Sequence, residues 1–195
     1  MILSKLLSTQ ALKLIKEFKK HHQEIFDVAV YGSAVRDKTD LRDVDFVVIF
    51  LQPETLEKKL TLSQELKSKL KNKFEFEIDV KGVDIKDLLD SSFLARKAII
   101  AESFLINKKK FLHEILGFKS YFIFSYSLKN LKQSKKVMFQ YALQGRRGEK
   151  GLFEITDSIP LGRGVIKVPL QHAEEIKEFL EKNKVEYKIY RVLCY

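Results

Sequence analysis

Two aspartates set two residues apart open the most apolar stretch of the chain, Asp43-Val-Asp-Phe-Val-Val-Ile-Phe-Leu51. Its composition reads as a β-strand, and on a strand residues i and i+2 project from one face, so Asp43 and Asp45 converge. A later stretch, Phe74-Glu-Phe-Glu-Ile-Asp-Val80, alternates strictly. It predicts a second strand with Phe74, Phe76, Ile78 and Val80 on the buried face and Glu75, Glu77 and Asp79 on the other. Carboxylates gathered in one place repel one another and raise each other's pKa unless a cation lies between them. Mg²⁺ suits such a site, because it takes oxygen ligands from one or two carboxylates together with substrate phosphates. Two such ions (Mg²⁺, with Mn²⁺ as a substitute) would stabilise both the attacking and the leaving oxygen of an in-line phosphoryl displacement. On the residues alone the third acid is open between Asp79 and Glu77.

The phosphate side of that chemistry falls to Gly32-Ser33, directly after the short apolar run Asp27-Val-Ala-Val-Tyr31. Glycine lets backbone approach a phosphate closely, and amides at a helix start attract anions. The Ser33 hydroxyl adds a donor. Arg36 and Lys38 are placed to hold a γ-phosphate, since cations stabilise charge on a transferring phosphoryl group. Arg42 stands beside the first acid, either to bind phosphate or to pair with Asp40. An Asp-x-Asp pair or a Gly-Ser turn is common by itself. The order strand, Gly-Ser, polar spacer, Asp-x-Asp strand, helix, acidic strand is what makes the signal specific.

The elements that must position these groups follow from periodicity. Leu3, Leu7, Ala11, Leu14, Ile15 and Phe18 recur at helical spacing over 3–21. Residues 27–31 and 43–51 read as buried strands, with a short helix and loop over 34–42 between them. Pro53 starts a helix that Leu56, Leu60, Ser63, Leu66 and Leu70 carry to about residue 72. Residues 85–101 read as helical, 103–106 as a short strand and 109–116 as helical again. The prediction for this part is an α+β fold, a mixed sheet flanked by helices, over residues 1–117.

A second, smaller α+β domain is predicted over 118–195, with strands at 121–126, 164–168 and 185–193 and helices at 129–144 and 171–183. Gly145, Gly148 and Gly151 mark a loop between them. Lys135, Lys136, Arg146, Arg147, Lys150 and Arg163, interleaved with Tyr121, Tyr126, Phe139, Tyr141 and Phe153, are the candidate nucleic-acid contacts. Cations on flexible backbone suit phosphates, and exposed aromatics stack on bases. The competing reading places those aromatics in a small core, with this domain a protein-docking module or a cap.

The chain of 195 residues carries 36 Lys plus Arg against 26 Asp plus Glu, a net charge of +10, which favours polyanionic partners. The single cysteine, Cys194, excludes an internal disulfide and a cysteine zinc site. Lysines interrupt the first twenty residues, which therefore lack a secretory apolar core. No apolar run is long enough for a bilayer. These features predict a cytoplasmic protein with no membrane partner. His21, His22, His113 and His172 are scattered and read as surface or structural groups.

The run Val-Ala-Val-Tyr-Gly32-Ser33, the spacer Ala34 to Arg42, then Asp43-Val-Asp45-Phe-Val-Val resembles the nucleotidyltransferase superfamily of DNA polymerase β, CCA-adding enzymes, aminoglycoside nucleotidyltransferases and minimal antitoxin-type members. Glu77-Ile-Asp79-Val is similar to its third-acid strand. The segment from Ala98 to Ile106 looks like a late helix-to-strand passage of the minimal members. The resemblance covers roughly residues 24–107. It implies triphosphate contacts at Gly32 and Ser33, metal ligation by Asp43 and Asp45, and Asp79 as third ligand and promoter of acceptor deprotonation, with Glu77 as the runner-up. The chain departs from the pattern at Asp37, where many members carry Gly, and at Arg42, where many carry Ser. The expected reaction moves a nucleoside monophosphate from an NTP or dNTP to an acceptor hydroxyl, on nucleic acid (tRNA or DNA). The alternatives are AMP transfer to a protein and a non-enzymatic nucleic-acid-binding module.

Overall fold

The computed structural model describes residues 9–36, 43–74 and 77–195, and the chain divides into two compact units between Phe118 and Lys119. In the first, a five-stranded mixed sheet has the order β3-β2-β1-β4-β5. Its strands are β1 (Ile25–Tyr31), β2 (Asp43–Phe50), β3 (Glu77–Val83), β4 (Phe104–Leu105) and β5 (Lys110–Phe111). β1 and β2 are antiparallel neighbours, and β2 and β3 are parallel. A parallel pair needs a crossover, here helix α2 (Leu56–Leu70), which Thr55 caps by accepting from the Lys58 amide at 3.3 Å.

Helices cover both faces. Ala11, Ile15 and Phe18 of helix α1 (Thr9–His21) and Leu62, Leu66 and Leu70 of α2 pack on Val28, Val30, Val44, Phe46, Val48, Ile78 and Val80. The other face, with Ala29, Tyr31, Val47, Ile49 and Val83, is covered from α3 (Ile85–Leu89), α4 (Arg96–Glu102) and α5 (Leu112–Ile115). Coverage from both sides is why the two central strands read as continuous apolar runs. Asp27 is fully buried on β1 and accepts from the Asn107 and Lys108 amides and from Asn107 Nδ2, at 3.1, 3.1 and 2.6 Å. It ties the β4–β5 turn to the sheet.

The second unit has a four-stranded antiparallel sheet, order β11-β6-β10-β9, from β6 (Lys119–Ser127), β9 (Ile159–Gly162), β10 (Val165–Pro169) and β11 (Glu186–Cys194). Helix α6 (Gln133–Gln144) follows β6 and helix α8 (Ala173–Lys182) follows β10, giving a βαββαβ succession. Phe122, Phe124, Ile166 and Val168 on one face are buried with Phe139 and Leu143 of α6 and Ile176 and Leu180 of α8. The expected glycine-rich loop is instead a hairpin, β7 (Gly145–Arg146) and β8 (Glu149–Lys150), followed by one turn of helix, α7 (Leu152–Ile155). Arg147 and Gly148 at its tip both have positive φ, the geometry of a tight two-residue turn.

The helical stretch expected over 85–101 is broken over 90–95, between α3 and α4, and that expected over 109–116 begins as β5. Asp84 forms a capping box with Asp87, and the backbone amide of Asp90 closes the short α3. The strand expected to begin at Phe74 is described from Glu77 onward and runs three residues further, to Val83.

Candidate active site

Strand pairing fixes where the acids emerge. Across the parallel β2–β3 pair, Asp43 stands beside Glu77 and Asp45 beside Asp79. Across the antiparallel β1–β2 pair, Asp45 stands beside Tyr31. Thus Asp45 is flanked on both sides, at the end of β1 where the chain turns into the 3₁₀ helix Gly32–Val35. Gly32 has φ +78°, a conformation that side chains rarely adopt, and a Cβ there would lie 3.4 Å from Asp45 Oδ2. The Gly-Ser turn and the Asp-x-Asp strand therefore meet at one point.

The electrostatics of that point are those of crowded acids. Burial pushes the Asp45 carboxyl above its ordinary pKa, Asp43 and Asp79 add to the rise, and Lys81 opposes it. The Tyr31 hydroxyl is raised as well, by burial first and then by Asp45. Two lysines answer the negative charge: Lys67 Nζ stands 3.5 Å from Asp79 Oδ1 and Lys81 Nζ 3.4 Å from Asp79 Oδ2. Burial works against the charge on Lys81, but Tyr31 and Asp79 outweigh it and raise its pKa. Among the described residues no group of three or more His, Cys, Asp or Glu side chains is arranged to hold a metal ion. Asp79 faces the two lysines in this arrangement. The donor set still suits a hard dication: oxygens only, with Asp45 disfavoured as an anion by burial and by its two acidic neighbours.

Of the cations expected to contact phosphate, Arg36 donates from Nη1 to Oε2 of the fully buried Glu102 at 2.8 Å. That bond ties the turn after β1 to α4. Lys38 and Arg42 lie outside the described residues, with the rest of the spacer, 37–42. Lys81 and Tyr31 were missed from the sequence. Lys81 was findable, because alternation places it on the face of Asp79, while Lys67 arrives from a neighbouring helix with no local signal.

The six candidate nucleic-acid contacts fall in three places on the second unit. Lys136 and Arg163 line one cleft, and Lys135 lines another with Lys132, Lys182 and Lys184. The β7–β8 hairpin carries the rest. There the Arg146 guanidinium lies 4.4 Å from the Tyr141 ring centre, Arg147 sits at the tip, and Lys150 pairs with Glu154 at 2.7 Å. Phe139 belongs to the core, whereas Tyr141 is exposed.

Residues 13–112 match the family model described as Polymerase beta, Nucleotidyltransferase. The match spans half of the chain and contains the whole Gly-Ser and carboxylate constellation, and the chain belongs to this family. No curated protein matches the sequence. Family membership makes nucleotidyl transfer the general activity of the fold and a nucleotide its substrate. No helix among the described residues is long and apolar enough to cross a membrane.

Proposed function

We propose that the protein transfers a nucleoside monophosphate from a nucleoside triphosphate to a hydroxyl on nucleic acid, with Asp43, Asp45 and Asp79 as the catalytic acids. The observation that carries this reading is the pairing of Asp45 with Asp79 beneath Gly32, two residues along from Asp43. Asp43 and Asp45 would hold Mg²⁺ with Asp79 as the third ligand, and the dication would supply charge neutralisation on the triphosphate and at the leaving oxygen. The Gly32 and Ser33 amides and the Ser33 hydroxyl donate to phosphate oxygens. The acceptor oxygen bonds to the α-phosphorus, the bond to the β-phosphate oxygen breaks, and pyrophosphate leaves. In this reading Asp79 draws the acceptor proton once Lys67 and Lys81 have released it. Arg36 acts through Glu102, bracing the Gly-Ser turn.

The charge of +10 favours a nucleic-acid acceptor. The test is incubation with labelled nucleoside triphosphates, Mg²⁺ or Mn²⁺, and tRNA, primer DNA or candidate proteins. Label on RNA or DNA is the expected result. Label only on protein identifies an AMP-transferring enzyme, and no label on any acceptor defeats the enzymatic reading.

A further inference from the structure

The sheet of the second unit has one face packed under helices and one face turned outward. Register assigns the outward residues. Along β6 they are Tyr121, Ile123 and Ser125, and their partners are Val192, Tyr190 and Lys188 on β11 and Pro169, Lys167 and Val165 on β10. None of these nine is buried, Tyr190 is half exposed, and none is acidic. Tyr121 and Tyr190 lie on adjacent strands as diagonal neighbours, two register positions apart. Lys167 Nζ lies over the Tyr121 ring, 4.7 Å from its centre, so one side of that ring already carries a cation and the other is left to a base.

A cleft of about 470 Å³ lies at the strand ends, where β6 finishes and β10 begins, with Lys136 and Gln140 of α6 forming its helix-covered side. Lys129, Lys136 and Arg163 line it with the amide of Gln140 and no acid. Lys129 comes from the β6–α6 loop, Lys136 from the first turn of α6, and Arg163 from the β9–β10 turn. Gly164 makes that turn possible, since a Cβ there would meet the Tyr126 carbonyl oxygen at 2.5 Å. Among the described residues, none of Lys129, Lys136, Arg163 and Lys188 enters an ion pair. The unit as a whole carries 15 basic against 8 acidic side chains.

We infer that this face binds single-stranded nucleic acid, with bases on Tyr121 and Tyr190 and the sugar-phosphate chain running over Lys188 into the Lys129/Lys136/Arg163 cleft. An aromatic platform beside a row of cations matches the two chemistries of a single strand, a π face on every base and one charge per phosphate. In a duplex the bases are stacked on one another and cannot lie on the tyrosines, so the platform selects unpaired strands. The inference deepens the acceptor reading above, but it concerns binding alone and stands or falls without transfer.

The test is fluorescence anisotropy of the full chain with labelled 20-nucleotide U and dT oligomers and a duplex of equal length. The single strands are expected to bind more tightly than the duplex. Tyr121→Ala and Tyr190→Ala should each weaken single-strand binding about tenfold, the loss of one stacked base. Both variants should keep the wild-type circular dichroism and melting temperature. The triple change K129Q/K136Q/R163Q should reduce the slope of log affinity against log salt by about two, three phosphates at about 0.7 each. Asp45→Asn should bind as the wild type does, which separates failure of this surface from failure of the catalytic reading. Wild-type affinity in both tyrosine variants, or a duplex bound as tightly as the single strands, overturns the proposal. So does self-association of the chain that Tyr190→Glu abolishes, because that assigns the face to a second copy.

Discussion

The first sheet is covered by helices on both faces, and the second on one. That difference decides what each can do. A strand buried on both sides exposes charged groups only near its ends, where the cover stops, so Asp43 and Asp45 emerge together at the start of β2 with Tyr31 and Asp79 against Asp45. The result is a compact and electrostatically crowded point suited to chemistry on a few atoms. A strand buried on one side presents a row of alternate residues along its whole length, suited to an extended ligand. The charges follow the same division. In the first unit Lys67, Lys81 and Arg36 are engaged by acids around the site, and 21 basic side chains nearly balance 18 acidic ones. The second unit carries the larger part of the excess positive charge.

The sharpest way to break the comparison is to disable one region and read the other. Asp43→Asn should lower transfer by about 10²–10³-fold or more, the scale of losing electrostatic stabilisation of a transition state, while oligonucleotide affinity holds. Transfer at wild-type rates would remove Asp43 from the site.

Next in size is the brace. Arg36→Ala leaves the carboxylate of buried Glu102 without its Nη1 donor, a loss of about 3 kcal/mol, so the melting temperature should fall by about 6–12 °C. An unchanged melting temperature with a raised KM for the triphosphate would instead make Arg36 a phosphate ligand. Gly32→Ala forces a side chain into left-handed backbone at about 1–2 kcal/mol. It should lower the melting temperature by a few degrees and raise the KM for the triphosphate.

The smallest expected effect has the opposite sign. Asp45 has a raised pKa in the fold, so between the ordinary carboxylate range and that raised value the folded state binds more protons than the unfolded. Stability therefore falls as pH rises through that window and stays lower above it. Asp45→Asn should melt about 1–3 °C higher than the wild type at pH 7, and the gain should vanish near pH 3, where both forms are neutral. A lower melting temperature at pH 7 would mean that Lys81 outweighs burial and the acidic neighbours.

Much of this was legible beforehand because it depends on local pattern. Continuous apolar runs marked β1 and β2, and alternation placed Ile78 and Val80 opposite Asp79. Spacing placed Ala11, Ile15 and Phe18 on one helix face. The same local reading failed where pairing at a distance intervened. Three glycines over 145–151 looked like a loop, and the Arg147-Gly148 turn makes them a hairpin. In the sequence Tyr121 is one aromatic among several. Only the register of β6 with β10 and β11 separates it, on the outward face, from Phe122 and Phe124 in the core.

The order of residues along the chain was enough to indicate the family and to single out the acids and the glycine as candidates, because a strand's two-residue repeat and a turn's need for glycine act over a few positions. Tertiary structure alone decided which acid stands next to Asp45, that Arg36 answers Glu102 across 66 residues, and that Lys67 and Lys81 meet on Asp79. Those pairings arise from strand register and helix packing, which bring together positions that no local period connects.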